Sequence, residues 1–126
     1  MLLIRGIRGA VVVDSDEALQ VKKATLELFE AIMEKNLLNV EDIAAVFITL
    51  TPDIQSVFPA EAIREQQKFR YIPILCAQEA QVAGGLKRCI RIMVLANTPF
   101  DQETVRHVYL GEAKNLRRDL LGEVES

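Results

Sequence analysis

The spacing of hydrophobic residues changes several times along the chain, and each change marks an element. Residues 2–13 are rich in Ile and Val and read as a strand. Gly6 and Gly9 within it mark kinks or a close approach of another backbone. Asp14-Ser15-Asp16-Glu17 has the composition of a helix start, with Asp14 as cap and Glu17 three residues on, as in a capping box. Val21, Ala24, Leu28, Ala31 and Ile32 then recur at helical spacing, and Glu27, Glu30, Glu34 and Lys35 mostly take the other face. This pattern predicts a helix ending near Asn36.

Residues 39–42 form a short helical turn. Residues 44–51 are an unbroken apolar run and read as a strand buried on both faces, ended by Thr51-Pro52-Asp53. A short helix follows over 59–67, with Pro59 suited to its first turn. Residues 71–79 and 87–97 read as two further strands, paired as a hairpin with a wide loop around Gly84-Gly85. Thr98-Pro99 breaks the chain, 105–110 is a fifth short strand, and 112–121 a short helical tail. The order predicts an α+β fold, a mixed sheet of about five strands covered by one long helix. One helix cannot cover both faces of such a sheet. The cheapest cover for the second face is another copy of the chain.

Composition narrows the function. A length of 126 residues suits a single domain over 1–126, and 50% hydrophobic with 26% charged residues is an ordinary globular balance. The net charge of −3 argues against nucleic-acid binding. An anionic ligand would therefore need local arginines to overcome the field of the whole chain. Arg5 interrupts the apolar N-terminus too early for a signal peptide, and no run approaches the roughly 18 apolar residues of a membrane helix. A cytoplasmic protein is the expectation. Cys76, Cys89 and the single His107 have no metal-ligand spacing, so neither metal nor cofactor is expected.

Arg91 breaks the pattern most sharply, because it sits in the middle of the apolar run Cys89-Ile90-Arg91-Ile92-Met93-Val94. A buried arginine is costly without a partner, and Glu79, closing the preceding strand, is the natural one. The pair is either a structural ion pair or part of a site for a polar anion. Cys76 and Glu79 are three apart, so a regular strand sends them to opposite faces; the same holds for Arg5 and Arg8. Arg64, Arg117 and Arg118 add further forks suited to carboxylates, and Tyr109 adds a hydroxyl beside an apolar ring. No serine lies near a histidine, and there is no phosphate-binding glycine loop. A chemistry without nucleophile or proton shuttle fits this inventory.

The motifs Ile4-Arg5-Gly6-Ile7-Arg8-Gly9-Ala10, Thr51-Pro52-Asp53-Ile54, Val57-Phe58-Pro59-Ala60 with Arg64, Cys76-Ala77-Gln78-Glu79, Gly84-Gly85-Leu86-Lys87-Arg88-Cys89-Ile90-Arg91, Arg106-His107-Val108-Tyr109-Leu110 and Leu116-Arg117 span nearly the whole chain. Together they resemble the trimeric, sheet-containing chorismate mutases. The resemblance implies a homotrimer built as a pseudo-α/β barrel, with sites in clefts between subunits. It implies that Arg8, Arg64, Cys76, Glu79, Arg91, Tyr109 and Arg117 line the site, with Phe58, Ala60 and Leu116 as packing surface. The family's irregular strand geometry is expected to bring Cys76 and Glu79 to one site. Glu61 stands where a lysine is expected, and Arg118 where a proline is usual.

The activity so implied converts chorismate to prephenate, in phenylalanine and tyrosine biosynthesis. Arg91 and Glu79 would carry the catalysis. Arg8 and Tyr109 would bind carboxylate, with Arg64 and Arg117 closing the entrance and Cys76 touching the ring hydroxyl. Two other readings use the same inventory: an imine or enamine hydrolase on a similar trimer, and a trimer that senses an aromatic-pathway acid without turning it over.

Overall fold

A computed structural model describes residues 2–111 and Ala113. Leu116, Arg117 and Arg118, with the rest of the expected tail except Ala113, lie outside the described residues. In chain order the elements are β1 (Leu3–Val12), α1 (Ala18–Lys35), β2 (Ile43–Leu50), α2 (Ala60–Arg64), β3 (Ile74–Gln78), β4 (Cys89–Thr98) and β5 (Val108–Leu110). The strands form one sheet in the order β3-β2-β4-β1-β5. β4 runs antiparallel to both β1 and β2, while β5 pairs parallel to β1 and β3 parallel to β2.

The hairpin expected of the third and fourth strands does not form, because β2 lies between them. β3 is an edge strand that starts just after Pro73, and the Pro73 carbonyl accepts from the Val46 amide at 2.9 Å. A proline is tolerated there because it lacks only a donor. The loop after β3 crosses the end of β2, a step of roughly 10 Å between alternate strands. The wide loop is thus real, but it spans a strand instead of closing a pair.

α1 begins at Ala18 with Glu17 at its N-cap and no side-chain cap, so Asp14 does not cap it. Instead the Ser15 amide donates to Gln20 Oε1 at 2.8 Å and the Ser15 hydroxyl to Glu17 Oε1 at 2.9 Å. Asp16 is used elsewhere: it accepts from the amides of Gln55 and Ser56 at 2.9 and 3.2 Å. The Ser56 side-chain hydroxyl first, and then the Gln55 amide, hold its carboxyl below the ordinary 3.8. α2 is shorter than expected, and a separate turn at Gln67–Phe69 sets Phe69 edge-on to Phe29 at 5.0 Å.

α1 covers one face of the sheet. Val21, Leu28, Phe29 and Ile32 pack there against Ile7, Val46, Ile48, Ile92 and Val94, all essentially inaccessible to water. Each such side chain contributes roughly 1.5–3 kcal/mol. Gly9 is where helix and strand meet: a Cβ there would sit 2.7 Å from Ile32 Cδ1 and 2.9 Å from Leu28 Cδ1. The tightest approach at this glycine is thus by helix side chains, while the backbone nearby is the Val108 carbonyl of the paired β5, at 3.0 Å. The other face is only partly covered. Arg91, Met93 and Leu95 of β4 are half-buried, and Phe47 of β2 is 40% exposed. Within one chain, β2 is buried on a single face.

Candidate active site

Register places the candidate residues. Cross-strand partners Ala77, Thr49, Arg91, Ala10 and Tyr109 form one row across all five strands. The next row along is Leu75, Phe47, Met93 and Arg8. Side chains two apart on a strand share a face, so both rows lie on the face away from α1. Arg91 and Tyr109 are separated by a single strand that carries only Ala10 between them. Two neighbouring strand spacings put the two strands roughly 10 Å apart, and Ala10 between them is buried. Arg8 lies one row down.

Glu79 follows β3 and is fixed three ways. Its amide donates to the Leu50 carbonyl at 2.8 Å. The Thr49 hydroxyl donates to its Oε2 at 2.6 Å. Arg91 Nε lies 3.0 Å from Oε2 and donates to Oε1 at 3.2 Å. Both contacts use Nε, which leaves the terminal amino groups of the guanidinium for another partner. The arginine side chain is 42% exposed, so its charge stays accessible to a ligand. The pair lines a cavity of about 690 Å³ walled by Thr51, Asp53 and the loop carrying Gln81, Val82 and Leu86.

Arg8 is held through its backbone, its amide donating to His107 Nδ1 at 2.9 Å. That nitrogen must therefore be the unprotonated one. Tyr109 is buried in a small cluster with Ala10, Cys89 and Ala113. Burial pushes the Cys89 thiol up to about 11, against the opposing pull of Arg91, so Cys89 is inert packing beside the site, as its place in an apolar run suggests.

Phe58 and Cys76 stand elsewhere. They line a second cavity, of about 600 Å³, with Leu50, Ile54, Val57, Pro59 and Glu61. Ala60 is buried at the start of α2 and Arg64 is exposed at its end. Cys76 is exposed rather than buried because β3 is an edge strand beyond the reach of α1. Cys76 pairs with Ile48, whose side chain is in the core, whereas Glu79 contacts Thr49, the next residue of β2, on the opposite face. Strand alternation thus persists through this edge, and no irregularity brings Cys76 and Glu79 together within one chain. Glu61 does lie at the rim of the Phe58 cavity, where it was expected.

Thr49 and His107 escaped notice in the sequence. Thr49 had a signal, since it is the one hydroxyl flanked by apolar residues inside the run Val46-Phe47-Ile48-Thr49-Leu50. His107 had none, because its role is to accept a backbone amide from a strand distant in sequence. Among the described residues no group of three or more His, Cys, Asp or Glu could hold a metal, and no helix is long and apolar enough to cross a membrane.

Fold and site define a class: a small α+β protein with a guanidinium and a carboxylate preset in one cavity and, among the described residues, no base-activated nucleophile beside them. The comparisons supply the family. The sequence model of chorismate mutase type I matches residues 4–120. Chorismate mutase AroH of Bacillus subtilis (strain 168) is 44% identical over 119 residues, 94% of either chain. Chorismate mutase AroH of Thermus thermophilus is 46% identical over 119 residues, 94% of this chain and 97% of that one. The solved structure of a chorismate mutase from Clostridium thermocellum superposes with a TM-score of 0.84 at 36% identity, covering 88% of this chain and 98% of the other. The chain belongs to the chorismate mutase type I family and is a chorismate mutase, an isomerase.

Proposed function

We propose that the protein, a single domain over 1–126, rearranges chorismate to prephenate in a site assembled between copies of the chain. The observation that carries this reading is the Arg91–Glu79 pair, oriented on the partly covered sheet face and joined to a cavity. The reaction is a concerted [3,3] shift: the ether C–O bond breaks while a C–C bond forms, and nothing is gained or lost. Negative charge grows on the ether oxygen. A preset cation at that point binds the transition state better than the substrate, and this is the role of the free amino groups of Arg91. Glu79 accepts the ring hydroxyl and faces the positive charge that develops on the ring. Arg8 and Tyr109, on the same sheet face as Arg91, take a carboxylate, and binding in one pose supplies the positional part of the rate gain.

The second half of the site, Phe58, Ala60, Arg64 and Cys76, faces away from the first. A copy seated on the open face would bring its own set opposite Arg91, which accounts for the separation of Cys76 from Glu79. The copies form a homotrimer on this reading, Leu116 and Arg117 contribute from the tail, and the protein works in the cytoplasm without a cofactor.

The test is loss of chorismate's ultraviolet absorbance, with prephenate confirmed by acid conversion to phenylpyruvate. Arg91→Ala should cost about a thousandfold in turnover, the scale of losing a charged transition-state donor. Mixing Arg91→Ala chains with Arg64→Ala chains should restore part of the activity, because some interfaces then hold both intact halves. Near-normal turnover by Arg91→Ala would overturn the residue assignment, and no gain on mixing would overturn the shared site.

A further inference from the structure

We infer that Asp53 is a positioning residue for this reaction: through the backbone of Arg88 it sets the start of β4 and so the aim of Arg91. The inference rests on the assignment of Arg91 as the catalytic cation. Arg88 is one of two non-glycine residues with positive φ among those described, at 51°. A side chain disfavours that conformation, so something must hold it. The Asp53 carboxylate does so, accepting the Arg88 amide at both oxygens, each at 3.0 Å. Arg88 then anchors to β1, its carbonyl accepting the Val13 amide at 2.9 Å and its Nε donating to the Val13 carbonyl at 3.0 Å.

Thr51 closes the relay. Its hydroxyl accepts the Cys89 amide at 2.9 Å and donates to Asp53 Oδ1 at 2.6 Å, while its amide donates to the Cys89 carbonyl at 3.1 Å. Arg91 is two residues further along β4 and on the same face as Cys89. Thr49 and Leu50, just before, hold the side chain and backbone of Glu79. One stretch of five residues, 49–53, therefore fixes both members of the catalytic pair relative to each other.

A carboxylate is an odd choice for this place. Asp53 lines the same cavity as Arg91, where a negative charge would repel a dianionic substrate. Its oxygens are spent instead on the Arg88 amide and the Thr51 hydroxyl. Partial burial works against its charge, yet those bonds outweigh it and keep the carboxyl below the ordinary 3.8. If Asp53 acted only through its field, removing it would help the substrate bind. If it acts by positioning, removing it slows the chemical step.

The experiment measures kcat and KM of Asp53→Ala beside Arg91→Ala, with melting curves to confirm the folded state. Asp53→Ala should lower kcat about ten- to a hundredfold, the scale of a misplaced catalytic group, with KM unchanged or lower. Adding Arg88→Gly should then recover part of the lost kcat, since glycine takes positive φ without a clamp, although it gives up the Nε bond to the Val13 carbonyl. Should Asp53→Ala fail to fold, Asp53→Asn gives the same test, with a smaller fall and the same rescue. An unchanged kcat in folded Asp53 variants, or a fall that Arg88→Gly does not relieve, overturns the proposal. Normal turnover by Arg91→Ala overturns the reading beneath it instead, so the two failures are told apart.

Discussion

The two faces of the sheet obey different rules. On the face under α1, Ile7, Val46, Ile48, Ile90, Ile92 and Val94 are aliphatic, and each is 2% exposed or less. On the other, Arg8, Ala10, Phe47, Thr49, Arg91, Met93 and Tyr109 mix charge, hydroxyl and hydrocarbon. The first face stabilises the fold through dense apolar packing. The second holds groups that are costly to bury alone and that become useful when something else arrives to cover them. Because side chains alternate, adjacent residues on β4 answer to different demands. Stability and chemistry are separated by one position in the chain.

Neighbouring substitutions should expose that division. Arg91→Ala is expected to lose about a thousandfold in turnover with little change in melting, and Ile92→Ala to lose about 2–5 kcal/mol of stability while its folded fraction keeps turning over. Chorismate assays paired with denaturant titrations check both, and an Arg91 variant that mainly unfolds would erase the contrast. Phe47→Glu places a charge on the open face; it should prevent the proposed trimer from forming and abolish activity at low concentration without unfolding the chain. Sedimentation and far-ultraviolet circular dichroism would show this.

Glycines allow a finer comparison. Gly9→Val forces a side chain into Ile32 and Leu28 and should cost at least about 1–3 kcal/mol, as overpacking does. A Cβ at Gly6 would meet chiefly the flexible Met93 Sδ, at 3.0 Å, so Gly6→Ala should stay within about 0.5 kcal/mol. Equal costs in thermal melts would argue that both faces are packed alike. The smallest effect is chemical. A thiol reagent at neutral pH should modify exposed Cys76 and leave Cys89, pushed up to about 11 by burial, untouched until the protein unfolds. Mass spectrometry of the labelled peptides reads the difference.

Much of this was legible in the sequence because it is local. Hydrophobic spacing gave α1, the five strands and the shortage of cover on one face. Arg91 declared itself by standing in an apolar run, and Glu79 as its partner followed from the cost of burying a charge. The motif resemblance carried the family. What sequence missed depends on tertiary pairing. Nothing near residues 71–97 says that β2 will enter between β3 and β4. The Asp14 cap looked sound by composition, but Asp16 had a better use on the loop before Phe58, and the helix started later. The Cys76–Glu79 conflict was visible as a difference of three in position. It is a real separation, which the expected local irregularity does not remove.

The place of β4 has a consequence for how the chain folds. β1 and β2 never touch as strands; β4 alone joins the β3-β2 pair to the β1-β5 pair, its partners including Leu3 with Thr98 and Leu50 with Ile90. During synthesis, everything before residue 89 can make only the parallel pair of β2 with β3, packed against the helices. The rest of the sheet must wait for its keystone and then close over long stretches of chain. Such non-local closure is slow, and it leaves β1 an unpaired hydrophobic strand in the meantime, a target for mispairing. The strand that carries Arg91, the cation proposed for catalysis, is thus also the one whose arrival commits the chain to its native topology.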